Sequence, residues 1–238
     1  MQISAPLFVL KRQARLLSRR DNLPLHEALN QIARQEGYDA WSLLARHALH
    51  QSPARKVLQM LRPGELILLG ARPGQGKTTF GLQLCIAGMQ TGRRCHFFSL
   101  DYVAQDINAL FLQLDEAPER YHDQFVFDDA DQINARYIRS KIQQSPAGSI
   151  VVVDYLQALE LDRSHPPLSE QLPQLKDLAC ESGAILVFIS QIDRRFSEGL
   201  ETSQMPKLKD VKVVNPFDLS IFDHTCFIHE GQIELNAA

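Results

Sequence analysis

Hydrophobic and polar positions follow two different periods along the chain. Between residues 7 and 49, apolar residues recur every three or four positions, as on one face of an amphipathic helix. Breaks at Pro24 and Gly37 divide this segment, which therefore predicts a small bundle of about three short helices. The polar stretch 51–54 predicts a linker. We expect a small helical domain over residues 1–52 and a larger domain over residues 53–238.

The larger domain alternates short β-type runs with helical patterns. Strands are predicted over 65–70, 94–100, 125–127, 149–154 and 184–191, and helices over 78–90, 103–114, 132–144 and 168–182, the last with an irregular first turn at Pro173. Such alternation predicts a mostly parallel sheet flanked by helices. Two final runs, 225–228 and 232–235, predict a hairpin around Gly231. The predicted fold class is α/β, preceded by a small α-helical bundle.

One motif carries specific chemistry, and it joins the first strand of the larger domain to the first helix. The nucleotide-binding residues predicted there are Arg72, Pro73, Gly74, Gln75, Gly76, Lys77, Thr78 and Thr79, the last in a structural role. Glycines let backbone N–H groups turn toward phosphate oxygens, and the helix start offers the positive end of its dipole. Lys77 is expected to reach the β and γ phosphates of ATP, and Thr78 to hold Mg²⁺. Ala71 stands where the usual pattern has its first glycine, directly after Gly70.

Three other predicted strands end in, or just before, polar side chains. Because parallel strands share one carboxyl edge, these side chains should converge on the phosphate loop. Asp154 is expected to share Mg²⁺ with Thr78. Asp101 and Gln191 are the predicted catalytic residues, one polarising the attacking water and the other sensing the γ-phosphate. Plainer alternatives are a turn or helix N-cap for each aspartate and a solvated strand end for Gln191.

Five short motifs occur in order between residues 61 and 194. They are Leu61-Arg62-Pro63-Gly64-Glu65-Leu66, Ala71-Arg72-Pro73 leading to Gly76-Lys77-Thr78-Thr79, Phe98-Ser99-Leu100-Asp101, Val153-Asp154-Tyr155-Leu156-Gln157 and Ser190-Gln191-Ile192-Asp193-Arg194. Together they resemble the C-terminal ATPase domain of DnaB-like replicative helicases, in which Ala71 is usual. The resemblance covers about residues 61–230. It implies a RecA-like fold, ATP bound between the subunits of a ring, and translocation on single-stranded DNA.

The sequence departs from that family at positions that matter for turnover. Asp101 stands where the family has a catalytic Glu, and a misplacement of about 1 Å can cost on the order of 100-fold in rate. Asp193 replaces an Asn, and no Lys-x-Arg finger follows Glu230 in this sequence. Such a finger increases the turnover rate by a factor of about 10³ to 10⁵ in other NTPases. A small basic bundle also stands where the family has its N-terminal collar domain.

The charge is unevenly distributed around a net value of -3. Residues 1–56 hold nine basic and four acidic residues, a balance of +5, which leaves -8 for the remainder. The resemblance implies DNA contacts from loops 160–169 and 194–212, where Phe196 is the predicted stacking ring; a solvated loop is the alternative. The first helix carries a basic face formed by Lys11, Arg12, Arg15, Arg19 and Arg20. Three interpretations of this face stay open: a solvated surface, phosphate binding, and docking on an acidic protein partner.

Two functions from different classes fit these observations. The preferred one is a Mg-ATP-binding ATPase of the DnaB-like helicase class that acts on or near single-stranded DNA. Its intrinsic hydrolysis is expected to be weak, and the chain is expected to self-associate. The alternative is an ATP-gated accessory or interaction protein without helicase activity. No apolar run approaches the roughly 18 residues of a membrane span, and the first residues lack the order of a signal peptide. We therefore expect a cytoplasmic location and no membrane partner.

Overall fold

The computed structural model describes residues 3–5, 7–162, 165–192, 204–213 and 215–237 of the chain. Its helices are α1 (Leu7–Asp21), α2 (Leu25–Gln35), α3 (Trp41–Gln51), α4 (Pro53–Met60), α5 (Lys77–Met89), α6 (Ala104–Gln113), α7 (Ala135–Ile142) and α8 (Leu168–Ser182). Its strands are β1 (Leu66–Ala71), β2 (Cys95–Ser99), β3 (Phe125–Asp128), β4 (Ile150–Asp154), β5 (Ile185–Gln191), β6 (His224–His229) and β7 (Gln232–Ala237). Across these residues, no helix combines the length and apolar character needed to cross a bilayer.

The first three helices form the predicted bundle. Leu10 and Ala14 of α1 pack against Ala28 and Ile32 of α2 and against Leu44 of α3 in a core of their own. These positions recur at helical spacing, so each helix buries one stripe of its surface.

The predicted linker over residues 51–54 is wrong. Helix α3 runs to Gln51 and α4 begins at Pro53, so that Ser52 alone separates the two helices. Proline is well tolerated in the first turn of a helix, where its missing N–H has no intrahelical acceptor. Ala54 and Val57 of α4 then pack into the core of the larger domain.

A seven-stranded sheet in the order β3-β2-β4-β5-β1-β6-β7 forms the centre of the larger domain. Every pairing is parallel except that of β6 with β7, which form the predicted hairpin. Ile67 and Leu69 pack on the face covered by α4, α5 and α6, whereas Leu66 and Leu68 pack on the face covered by α7 and α8. A parallel sheet buried on both faces explains the continuous apolar runs of its strands. The α/β fold class, with a mostly parallel sheet flanked by helices after a helical bundle, is confirmed.

Two helices differ from their predicted forms for local reasons. Helix α7 begins three residues later than predicted, because the Asn134 side chain caps it by accepting a 2.9 Å hydrogen bond from the Tyr137 backbone N–H. Helix α8 runs from Leu168 through Pro173 without the predicted irregular turn. The 3-10 turn Leu156–Glu160 that follows β4 was not predicted.

The strand register brings the ends of four strands to one edge of the sheet. Asp154 pairs with Ser99 of β2 on one side and with Ile189 of β5 on the other, while Ala71 at the end of β1 pairs with Gln191. This edge therefore receives the loop after β1 together with the polar residues that end or follow the neighbouring strands.

Candidate nucleotide-binding site

The loop between β1 and α5 is an open cradle. Gly74 and Gly76 have φ angles of +77° and +80°, a conformation that residues with a side chain rarely adopt. Among the described residues, no heavy atom lies within 4 Å of the Cβ that either glycine would gain by substitution. The backbone conformation, rather than crowding, therefore requires glycine here, and the loop leaves space beside its backbone for a ligand.

Thr78 and Asp154 meet at the base of this cradle. The hydroxyl Oγ1 of Thr78, in the first turn of α5, donates a 2.7 Å hydrogen bond to Oδ2 of Asp154 at the end of β4. Burial raises the pKa of the Asp154 carboxyl to about 6. The hydrogen bond from Thr78 and the charge of Lys77 oppose this rise, while the charge of Asp101 adds to it. Lys77 and Asp101 therefore both act electrostatically on the same buried carboxylate.

The donor set at this position fits Mg²⁺. A carboxylate and a hydroxyl are hard oxygen ligands, and Mg²⁺ commonly takes one or two such protein groups together with phosphate oxygens and water. In the part of the chain that the structure covers, no cluster of three His, Cys, Asp or Glu side chains forms a dedicated metal cage. Thr78 and Asp154 would therefore hold the ion with the nucleotide rather than alone.

Asp101 lies two residues beyond β2, and its side chain is exposed. Its backbone N–H donates to Ser99 Oγ at 3.2 Å. Helix α6 has Val103 at its N-cap, and the Val103 N–H is bound by the Asp106 carboxylate at 3.1 Å. The alternative role of Asp101 as the N-cap of α6 is thus wrong, which leaves its carboxylate available for other chemistry.

Gln191 ends β5 next to the phosphate loop, and a second amide, Gln157, supports this corner. The Gln191 carbonyl accepts a 2.8 Å hydrogen bond from the Lys212 N–H. The buried Gln157 donates through Nε2 to Ser190 Oγ at 3.0 Å and to the Lys212 carbonyl at 2.6 Å. Gln157 belongs to one of the five sequence motifs, but no role was predicted for it. The sequence signal that could have indicated a role is that Gln157 stands between apolar residues. An amide buried in such a segment needs hydrogen-bond partners, so a structural role could have been predicted.

Arg72 and Gln75 point their side chains at the β6–β7 hairpin. Arg72 Nη1 lies 2.8 Å from His229 Nδ1, and Nη2 donates to the Gln204 carbonyl at 3.1 Å. Gln75 Oε1 accepts a 2.8 Å hydrogen bond from the Glu230 N–H. These contacts within the chain occupy side chains that the sequence assigned to the nucleotide, and sequence reasoning did not anticipate them.

The loops predicted to contact DNA are only partly described. In loop 160–169, Arg163 lies outside the described residues, and His165 is engaged with Leu159 O and Asn134 Nδ2, each at 3.2 Å. In loop 194–212, residues 194–203 lie outside the described residues, as does Asp193 before them. The described end of that loop carries exposed cationic side chains: Lys207, Lys209 and Lys212. An antiparallel bridge between Ile192 and Val211 holds its base.

The basic face of α1 partly contacts the larger domain. Lys11 and Arg15 both form ion pairs with Asp115, which follows α6. Arg20 pairs with its neighbour Asp21 at 2.6 Å. Lys11 and Arg15 thus connect the bundle to the helix that begins three residues after Asp101.

Comparison with known proteins agrees with this architecture. The family described as "DnaB-like helicase C terminal domain" matches residues 108–215. The curated "Replicative DNA helicase DnaB" of Helicobacter pylori is 24% identical over 209 residues, covering 73% of this chain and 42% of the relative. The chain therefore spans less than half the length of that protein.

Solved structures share the fold at low sequence identity. A solved ATPase domain superposes with a TM-score of 0.61 and 17% identity, covering 79% of this chain and 81% of that one. A DnaB-like replicative helicase, solved in a study of its interactions with primase, gives a TM-score of 0.60 and 16% identity, covering 97% and 73%. The family match over residues 108–215 and the shared fold make the larger domain of this chain similar to DnaB-like helicase C-terminal domains.

Proposed function

We propose that the chain binds Mg-ATP and is an ATPase of the DnaB-like helicase class, acting on or near single-stranded DNA with weak intrinsic hydrolysis. The observation that carries this proposal is the 2.7 Å contact of Thr78 with Asp154 beneath the open glycine cradle. A buried carboxylate with a raised pKa is costly to ionise. A bound divalent cation would offset that cost, so the site is better suited to hold Mg²⁺ than to stay without it.

Each residue of the site has a distinct task in this proposal. The backbone of residues 72–79 cradles the phosphates, and Lys77 balances their charge. Thr78 and Asp154 hold Mg²⁺, which when bound screens phosphate charge during transfer. Asp101 accepts the proton of the attacking water, and Gln191 senses the γ-phosphate at the neighbouring strand end.

Weak hydrolysis follows from the short carboxylate of Asp101. Aspartate is one methylene shorter than glutamate, so a water positioned for the longer side chain would be held less well. The proposed DNA contacts use the exposed Lys207, Lys209 and Lys212, whose loop is fixed at its base to Gln191. Cations on such a loop suit a phosphate backbone. Self-association is part of the same proposal, because DnaB-like ATPase domains bind ATP between the subunits of a ring.

ATP turnover measured with and without single-stranded DNA tests the proposal. Wild type, Lys77→Ala and Asp101→Glu are compared, and the particle mass is determined in parallel. We expect slow turnover that DNA stimulates, that Lys77→Ala abolishes and that Asp101→Glu increases, together with a particle larger than a monomer. A monomer that neither binds nor turns over ATP would contradict the proposal as a whole.

A second function, an ATP-gated accessory protein, is favoured by one observation. Lys11 and Arg15 of the bundle contact Asp115, two residues beyond α6, and α6 starts three residues after Asp101. A change at the nucleotide site could therefore alter how the bundle is presented to a partner. Tight ATP binding without turnover in wild type and in Asp101→Glu would favour this second function over the first.

A further inference from the structure

We propose that the turn of the β6–β7 hairpin, residues 229–231, is a brace that fixes the conformation of the phosphate loop. Arg72 and Gln75 are then positioning residues, whose side chains bind the brace rather than the nucleotide. This inference rests on the proposed binding of ATP to the loop. It adds a determinant of affinity outside the loop itself.

The first contact of the brace is at the middle of the loop. Gln75 lies between Gly74 and Gly76, the two most freely rotating positions of the segment. Its Oε1 accepts the Glu230 N–H at 2.8 Å. Glu230 and Gly231 have φ angles of +48° and +77°, which form the tight turn that carries this N–H. A hydrogen bond between two flexible glycines removes conformations that the loop would otherwise sample.

The second contact is at the start of the loop. The buried Arg72 side chain places Nη1 2.8 Å from His229 Nδ1. A guanidinium can only donate, so Nδ1 is the acceptor and the proton of a neutral imidazole sits on Nε2. Arg72 also donates to the Gln204 carbonyl at 3.1 Å. The residue that opens the phosphate loop is therefore tied to β6 and to a separate chain segment.

Strand pairing explains why the turn reaches the loop. Strand β6 lies beside β1 in parallel register, with Gly70 opposite Phe227 and Ala71 opposite Ile228. A Cβ at Gly70 would lie 2.6 Å from Phe227 Cε1, a distance that real Cβ atoms do not show. Glycine at position 70 therefore admits the Phe227 ring against β1. The turn after β6 then lies level with the loop after β1.

A braced loop loses less conformational entropy when phosphate binds, so removing the brace should weaken ATP binding. Loss of one such hydrogen bond corresponds to roughly three- to tenfold in the dissociation constant. The effect should be present in equilibrium binding, whether or not the chain hydrolyses ATP. Removing the brace should also increase the mobility of the phosphate loop in the nucleotide-free protein.

Gln75→Met tests the first contact, because it removes the acceptor and nearly preserves the shape. Gln232→Met is the matched control, since Gln232 is an exposed amide on the same hairpin. We expect a fluorescent ATP analogue with Mg²⁺ to bind roughly three- to tenfold more weakly to Gln75→Met, and with unchanged affinity to Gln232→Met. In the nucleotide-free proteins, hydrogen exchange of residues 72–77 should be faster in Gln75→Met than in wild type, and unchanged in Gln232→Met.

His229 tests the second contact from a position on β6. His229→Asn can keep an acceptor near Nδ1, whereas His229→Leu removes it. We expect affinity to fall in His229→Leu and to be restored in His229→Asn. Arg72→Met combined with His229→Leu should weaken binding no further than Arg72→Met alone, because both changes delete the same contact.

The outcomes separate this inference from the function on which it rests. If wild type binds no nucleotide, or if Lys77→Ala binds as tightly as wild type, the proposed function fails and the brace fails with it. If Lys77→Ala loses binding while Gln75→Met and His229→Leu keep wild-type affinity and loop exchange, the brace alone is overturned. Equal losses in Gln75→Met and Gln232→Met would also overturn it.

Discussion

Thr78 Oγ1 donates a 2.7 Å hydrogen bond to Asp154 Oδ2, and this contact links the first turn of α5 to the end of β4. Burial raises the pKa of the Asp154 carboxyl from 3.8 to about 6. An acid whose pKa is raised by folding destabilises the fold when it ionises. The destabilisation is absent below about pH 4 and complete above about pH 6. The group that we propose for Mg²⁺ therefore reduces the stability of the protein without ligand.

Asp154→Asn should accordingly change stability and binding in opposite directions. An Asn Oδ1 still accepts from Thr78 but carries no charge, so the variant should be more stable than wild type above about pH 6, on the order of 2–3 kcal/mol. At about pH 4 the difference should vanish. Mg-ATP binding should weaken roughly tenfold or more, because the ion loses its charged ligand. Urea unfolding without ligand and titration with a nucleotide analogue measure the two effects.

Asp129→Asn is the matched control for that experiment, since it makes the same change at an exposed carboxylate that does not contribute to the pKa of Asp154. Its stability should stay within about 0.5 kcal/mol of wild type at either pH. An Asp154→Asn variant that is less stable than wild type above about pH 6 would show that ionised Asp154 stabilises the fold instead.

Close packing between α5 and β4 makes a second prediction. A Cβ at Gly88 would lie 2.3 Å from Ile150 Cδ1, with no other heavy atom of the described residues closer than 3.5 Å. Gly88→Ala should cost roughly 1–3 kcal/mol of unfolding free energy through overpacking. Ile150→Val deletes that methyl and alone should cost roughly 0.5–1.5 kcal/mol. In the Gly88→Ala background, the same change should instead restore stability.

Denaturant unfolding of wild type, both single variants and the double variant completes this cycle. The coupling energy between Gly88 and Ile150 should be favourable and at least about 0.5 kcal/mol. If the two single effects simply add, the contact does not limit packing at this position.

The fold and the meeting of Thr78 with Asp154 could be predicted because their signals are local. A strand, two glycines, Lys77 and Thr78 stand together in the sequence, and Asp154 ends an apolar run. Parallel strands then bring such ends to one edge. The side-chain direction of Arg72 could not be predicted, because its partner His229 lies 157 positions away and no periodicity couples the two.

Other parts were missed because tertiary packing decided them. Polar residues around Ser52 suggested a linker, yet Ala54 and Val57 are buried and extend the helical structure across it. The N-cap role considered for Asp101 failed because α6 begins later, where the Asp106 carboxylate binds the Val103 N–H. Local propensity is a weak guide wherever burial or a competing cap is available.

The ion pairs between the bundle and the larger domain make a third prediction. Asp115 has a φ angle of +61°, which asparagine tolerates well, so Asp115→Asn removes the charge without straining the backbone. Lys11 and Arg15 then lose their shared partner. We expect faster amide exchange in α1 and a stability loss of about 1 kcal/mol or less at low salt. At about 0.5 M salt the difference should shrink, because ions screen partly exposed pairs.

Asp21→Asn provides the comparison, because Asp21 pairs only within α1 with its neighbour Arg20 among the described contacts. Its effect on exchange should be confined to the end of that helix. Equal exchange in α1 for wild type and Asp115→Asn at low salt would mean that the ion pairs do not hold the bundle.

His96 makes the fourth prediction, which concerns acid stability. Burial lowers the pKa of His96 to about 4, with a further lowering from the charge of Arg94 and an opposing effect from Asp128. The ring Nε2 lies 2.8 Å from Ser145 Oγ. With this lowered pKa, His96 is neutral in the folded protein above about pH 4. Its contribution to stability is complete above about pH 6.5 and is lost as the pH falls toward about 4.

Replacing His96 with Gln removes the titration while keeping a polar group near Ser145. Between about pH 7.5 and 4.5, wild type should lose roughly 2–3 kcal/mol of unfolding free energy relative to His96→Gln. His122→Gln, at an exposed histidine, should follow the wild-type curve. The contribution of Asp154 is common to all three proteins and cancels in the differences. Parallel curves for wild type and His96→Gln would mean that His96 is not protonated on unfolding in this range, and that other groups set the acid limit of the fold.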